Sequence, residues 1–166
     1  MDAIFNRTSV RKYKQESLKK EEIDLILKAA FSAPSARNGQ PWQFIVVQDK
    51  GTLKDLSQMT PYASFLKDAA MGIVVCADKS KNDSLDYCQQ DLAAATENML
   101  VEAKSLGVGS CWLGVYPNED RYLALNQYFK LPKGIVPMWM ISFGYIDQEE
   151  VVKDKFDFSK VHYEKY

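Results

Sequence analysis

Arg7, Ser9 and Arg11 sit in the run Arg7-Thr8-Ser9-Val10-Arg11 with a spacing suited to holding an anion. In extended backbone, alternate residues face the same side, so two guanidinium groups and a hydroxyl would converge. Guanidinium pairs bidentately with phosphate oxygens and stays charged. A solvated basic stretch would have the same composition, since Lys12 and Lys14 follow. A second candidate is residues 34–42, PSARNGQPW, where hydroxyl, amide and glycine groups precede an apolar run. Ser35, Asn38 and Gln40 there could hydrogen-bond the polar edge of a heterocycle, as loops at strand ends often do. A third is Trp112-Leu113-Gly114-Val115-Tyr116-Pro117. A glycine at a strand end lets backbone approach a ligand closely. Taken singly, an ordinary connection explains the second candidate, and a strand-to-turn transition explains the third.

Other chemistries find little to work with. His162 is the only histidine and lies near the C-terminus, so a Ser-His-Asp or Cys-His device would hang on that one residue. The chain contains no HExxH, CxxC, GxGxxG or P-loop pattern, and no metal ligand set is expected. Cys76, Cys88 and Cys111 match no disulfide or zinc spacing and read as buried, inert thiols. A candidate anion site without acid–base machinery of its own suggests that a bound cofactor does the chemistry.

The chain has 166 residues, which suits one domain, and is 46% hydrophobic, enough for a real core. It carries 21 basic and 22 acidic residues, so the basic excess of a nucleic-acid binder is absent. The beginning, MDAIFNRTSVRKYK, lacks a signal-type apolar stretch. The apolar run at 135–146 is too short to span a bilayer as a helix. A cytoplasmic protein with neither nucleic-acid nor membrane partner is expected.

Several elements must position the three candidate segments. Apolar spacing predicts a helix over about 18–32, beginning near Ser17 and ending before Pro34. Strands are predicted at 42–47, 71–77, 110–115 and 135–145, with a short helix at 52–57. Residues 87–106 form the longest helical pattern, apolar on more than one side, closed by Gly107 and Gly109. Asn118 should cap a helix running to about Phe129. Alternating helices and strands imply an α/β or α+β sandwich. The tail, 147–166, shows no period, but Phe156, Phe158, Val161, Tyr163 and Tyr166 are too many large apolar groups for a solvated end. It should dock on its own subunit or on a partner.

Three stretches together resemble the FMN-dependent nitroreductase family. These are the opening Arg7-Thr8-Ser9-Val10-Arg11-Lys12-Tyr13, the block APSARNGQPWQF at 33–44, and ATENMLVEAKSLGVGSCWLGVYP at 95–117. The ending KDKFDFSKVHYEKY at 153–166 is similar to the tail of the family's shorter members. The resemblance implies an α+β fold: a three-layer α/β/α sandwich with a mainly antiparallel central sheet. It implies one FMN-binding domain over 1–166, with 151–166 as a C-terminal arm exchanged with the partner of a homodimer. FMN would sit at the subunit interface. Arg7, Thr8, Ser9 and Arg11 would hold FMN, mostly at its phosphate, with Arg11 also reaching the pyrimidine edge. Pro34, Ser35, Ala36 and Asn38 would contact it from the other subunit. Leu113 and Gly114 would lie beside flavin N5, and Lys153 and Lys155 would complete the phosphate site.

The implied activity is hydride transfer from NADH or NADPH, through flavin N5, to nitroaromatic, quinone or similar electron-poor acceptors in a ping-pong cycle. No protein side chain is singled out as the reacting group; Arg11 and Gly114 support the flavin. A flavin-binding or redox-sensing protein without turnover, a narrower member that dehalogenates or oxidises one metabolite, and a non-flavin interaction module using the aromatic tail are the alternatives. The chain departs from larger members at Pro61-Tyr62-Ala63-Ser64-Phe65, which lacks their asparagine and lysine at the pyrimidine edge. It also departs at Lys155, where an arginine is expected.

Overall fold

The computed structural model describes residues 2–166. The first helix, α1 (Asp2–Asn6), is only 5 residues long. It is too short to leave a period in the sequence. Helix α2 (Lys20–Phe31) starts later than Ser17 because its cap is Lys19, whose N–H donates to the Glu22 carboxylate at 2.8 Å. This is the reciprocal half of a capping box. Strand β1 (Trp42–Val47) follows the loop after Pro34. Asp49 then opens helix α3 (Lys50–Leu56) by accepting from the Thr52 N–H at 2.8 Å. Next come strand β2 (Met71–Asp78) and the long helix α4 (Leu85–Ser105). Gly107, at φ 75°, ends that helix, whereas Gly109 already belongs to strand β3 (Val108–Gly114). Asn118 caps helix α5 (Glu119–Phe129) through the Arg121 N–H at 3.1 Å, and strand β4 (Ile135–Tyr145) closes the sheet.

The four strands form one sheet in the order β1-β2-β4-β3, and every neighbouring pair is antiparallel. Side chains alternate across the sheet and feed two cores. Ile73, Val75, Ile141 and Phe143 join α2 and α4 on one face. Val74, Cys76, Leu113 and Met140 join α3 and α5 on the other. The result is the expected three-layer sandwich. Helix α4 is central: Leu92, Ala95, Met99 and Ala103 are all fully buried. Thr96 on the same helix accepts a buried hydrogen bond from Trp139 Nε1 at 2.8 Å, which fixes α4 against β4.

The three cysteines are free and buried, as expected. Burial pushes the Cys76 thiol up to about 12 and raises Cys88. The tail from 151 onward is exposed along its whole length, with one short 3₁₀ turn, Phe158–Lys160, capped by Asp157.

Candidate functional site

Residues 7–14 form a strap along the edge of the sheet. Ser9 makes a parallel bridge with Ser110, and Tyr13 an antiparallel one with Ile146. The Val10 N–H donates to the Ser110 carbonyl, and the Lys14 N–H to the Tyr145 carbonyl, both at 2.9 Å. Val10 and Tyr13 point inward and are buried. They fit because glycine lies beneath each. A Cβ on Gly109 would lie 2.8 Å from the Val10 side chain, and one on Gly144 would lie 2.8 Å from the Tyr13 ring. Val10 faces inward while its neighbours Ser9 and Arg11 face outward, as alternation in extended backbone gives; Arg7 also lines the outer cleft, and the alternation ends before Tyr13, which turns inward.

The outward residues share a cleft with the root of the tail. Arg7, Ser9, Arg11, Lys153 and Lys155 all line it, together with three acidic residues, Glu97, Glu149 and Asp154. Arg7 Nε sits 3.5 Å from Glu97 Oε1. Thr8 also touches the cleft, but its hydroxyl donates to Glu150 Oε1 at 2.8 Å. Glu150 accepts again from Lys104 Nζ at 2.6 Å. Partial burial pushes the Glu150 carboxyl up, but the hydrogen bonds from Lys104 and Thr8 outweigh it and hold the group below the usual range. Gln148 accepts from the Arg11 and Lys12 N–H groups at 2.8 and 3.1 Å, tying the tail's root to the strap. Beneath the strap, burial raises the Cys111 thiol, against the pull of Arg11, Ser9 and Arg7.

Arg11 also lines a second cleft, formed where β3 ends. This one holds about 490 Å³, within the range of about 300–1,000 Å³ usual for small-molecule sites. Leu113 and Gly114 form part of its lining, and a Cβ placed on Gly114 would meet nothing within 4 Å. Phe65, Tyr62 and Trp112 supply aromatic walls. The Arg11 guanidinium lies 5.8 Å from the Phe65 ring centre, and that of Arg121 lies 5.5 Å from the Tyr62 ring centre. None of the lining residues is acidic. The segment 61–65 thus presents aromatic faces through Tyr62 and Phe65.

The loop after α2 lies elsewhere. Ala36 and Arg37 line a different cleft, beside Lys79, Lys81 and Tyr87. Pro34, Ser35, Ala36 and Asn38 are therefore not brought onto the strap of their own chain. The loop is strained: Arg37, Asn38 and Gln40 have φ of 54°, 55° and 47°. Such backbone costs about 1–3 kcal/mol per residue and persists only where its surroundings enforce it. The Ser35 hydroxyl oxygen accepts from the Gln40 N–H at 3.1 Å, and Asn38 Oδ1 accepts from Gln40 Nε2 at 3.0 Å. Asp91 on α4, buried, accepts from the Ala36 N–H at 2.9 Å, while its other oxygen has no partner.

Two functional candidates escaped the sequence reading. Asp91 was hidden in an apolar helix stripe, and Arg121 in an ordinary helix start. The residues present do fit FMN: four cations and a hydroxyl suit a phosphate, and an open glycine among aromatic faces suits a planar ring.

Fold and clefts together define a small α+β protein built to hold an anion attached to a flat ring. The Nitroreductase family model matches residues 4–60 and 51–145. A protein of Archaeoglobus fulgidus named "Putative NADH dehydrogenase/NAD(P)H nitroreductase" is 44% identical over 98% of this chain and 96% of its own length. A solved Clostridium acetobutylicum structure described as a "Putative NADH Oxidase" is 44% identical, with a TM-score of 0.95, over 99% of this chain and 100% of its own. An FMN-dependent nitroreductase from Clostridium difficile is 36% identical, with a TM-score of 0.93, over 100% of both chains. The chain belongs to the nitroreductase family.

Proposed function

We propose that this protein is an FMN-dependent NAD(P)H oxidoreductase that reduces nitroaromatics, quinones or similar electron-poor acceptors, with donor and acceptor taking turns in one place. The observation that carries this reading is that Arg11 lines both clefts, the one shared with Arg7, Lys153 and Lys155 and the aromatic one. A molecule with a phosphate at one end and a flat ring at the other would span them. Family membership and the FMN-dependent relative support the same cofactor.

When bound, FMN supplies a centre at N5 that takes up a hydride and passes it on. The chain's own residues do the rest. Arg7, Ser9, Lys153 and Lys155 would neutralise the phosphate through charge-assisted hydrogen bonds. Arg11 would offset negative charge that develops at the pyrimidine edge, acting as a fixed electrostatic stabiliser. Leu113 and Gly114 would bring backbone against the ring, where a side chain would intrude. Trp112, Phe65 and Tyr62 would exclude water from one side.

A homodimer completes this reading. Phe156, Phe158 and Tyr163 are 66%, 73% and 78% exposed, a state that apolar groups of this size leave by burial against another surface. A second copy would cover them and bring its Pro34, Ser35, Ala36 and Asn38 to the flavin. The single domain would then have its 151–166 arm laid across the partner.

Two measurements test the proposal. Arg11→Ala should release FMN on dilution, raising its Kd about tenfold or more, because a charge-assisted contact is worth about 1.5–3 kcal/mol. Initial rates with NADH and a nitroaromatic acceptor should give parallel double-reciprocal lines. Unchanged FMN retention would remove Arg11 from the cofactor site, and intersecting lines would contradict the alternating order.

A further inference from the structure

The aromatic cleft holds one more positive charge than the flavin reading uses. Arg11 answers the ring's developing charge, which leaves Arg121. Its guanidinium makes no ion pair among the described residues, whereas Arg7 and Lys104 each have a carboxylate partner. Two contacts hold it: Nη1 donates to the Gly114 carbonyl at 3.4 Å, and its Cζ lies over the Tyr62 ring, 5.5 Å from the ring centre. A guanidinium has five N–H donors, so most of its hydrogen-bonding capacity is left for a ligand. Tyr62 is 69% exposed and offers a second flat face at the same mouth. The cleft thus carries two guanidinium groups and no lining carboxylate, in a chain whose formal net charge is −1.

We propose that Arg121, held against Tyr62 and the Gly114 carbonyl, selects acceptors that carry an anionic substituent on their aromatic or quinone ring. This rests on the function proposed above and names the acceptor class for that site. With the flavin ring held against Gly114, the acceptor's ring would stack on its free face, and a carboxylate or sulfonate on that ring would meet the free side of the Arg121 fork, which matches a carboxylate geometrically.

The test is equilibrium binding of 4-nitrobenzoate and 4-nitrobenzamide to the oxidised FMN-loaded protein, followed through the flavin absorbance. No turnover is needed, so the result stands apart from whether NAD(P)H reduces the flavin. The wild-type protein should bind the anion more tightly than the neutral amide. Arg121→Gln should cut that preference about tenfold, the loss of one charge-assisted hydrogen bond, and Arg121→Lys should restore part of it. Raising the salt concentration should shrink the wild-type preference, since an exposed cation is screened. This check needs no variant. Equal affinity for the two ligands in the wild-type protein, or a preference untouched by Arg121→Gln, overturns the proposal. A variant that instead alters the ratio of NADPH to NADH reduction rates would assign the guanidinium to the donor's phosphate, and overturns it too.

Discussion

The Tyr13 hydroxyl donates to the Val10 carbonyl oxygen at 2.6 Å. A phenol has one proton, so the Ser142 hydroxyl, 2.7 Å away, must be the donor in its contact with Tyr13. The strap that carries Arg7, Ser9 and Arg11 is thereby bolted to β4 through a buried pair. Burial also pushes the Tyr13 phenol up, so it stays neutral across the physiological range. Tyr13→Phe should cost about 1–3 kcal/mol, because it strands the Val10 carbonyl in the interior and leaves the Ser142 hydroxyl only a long contact, 3.5 Å, to the Cys111 carbonyl. The urea midpoint measures this, and FMN affinity should fall with it as the strap loosens.

Asp91 plays the corresponding part for the strained loop. Its carboxylate accepts from the Ala36 N–H and lies beneath backbone with three positive φ angles. Asp91→Ala removes the side-chain acceptor of that N–H and should cost about 1–3 kcal/mol. Asp91→Asn keeps an oxygen for Ala36 and should cost less. Thermal unfolding of the two variants, compared in parallel, checks the order.

The Glu150 link should make the strap acid-sensitive. Its folded value lies below the ordinary 4.5 because Lys104 and Thr8 hydrogen-bond the charged form. A lowered carboxyl contributes stability that is fully present above the unfolded value and is lost as pH falls through the folded one. Stability should therefore drop below about pH 4.5, and Glu150→Gln should flatten that part of the profile. Urea midpoints measured between pH 6 and pH 3 would show a steeper fall for the wild-type protein.

Ending the chain at Val152 removes Lys153, Lys155 and the exposed aromatic groups together. The shortened protein should elute as a monomer and lose FMN on gel filtration. A truncated protein that stays dimeric and yellow would rule out both roles of the arm.

Much of the fold was legible from local pattern. The strands at 42–47 and 135–145 came out with their observed ends, because β-branched and aromatic runs there are bounded by Pro41 and by Gly134. The Asn118 cap was readable because its signal lies within one turn. Of what the sequence hid, one part is a choice between neighbouring caps and the rest depends on contacts distant along the chain. Ser17 resembles a helix cap, but Glu22 satisfies the Lys19 N–H and moves the start. Gly109 resembles a helix terminator, yet it serves as the floor under Val10, a residue almost one hundred positions earlier. The site follows the same rule. The Arg7–Arg11 spacing could be read locally and its family resemblance strengthened it, but nothing near Arg121 announces that Tyr62 will lie beneath it.

Anaerobic titration of the FMN-loaded protein with NADH and with NADPH, watching the flavin absorbance, tests whether hydride passes through the flavin. At least one donor should bleach the flavin at one equivalent per site, and a nitroaromatic or quinone added afterwards should restore the colour. A yellow protein that neither donor bleaches would contradict hydride transfer and leave a flavin-binding protein without turnover.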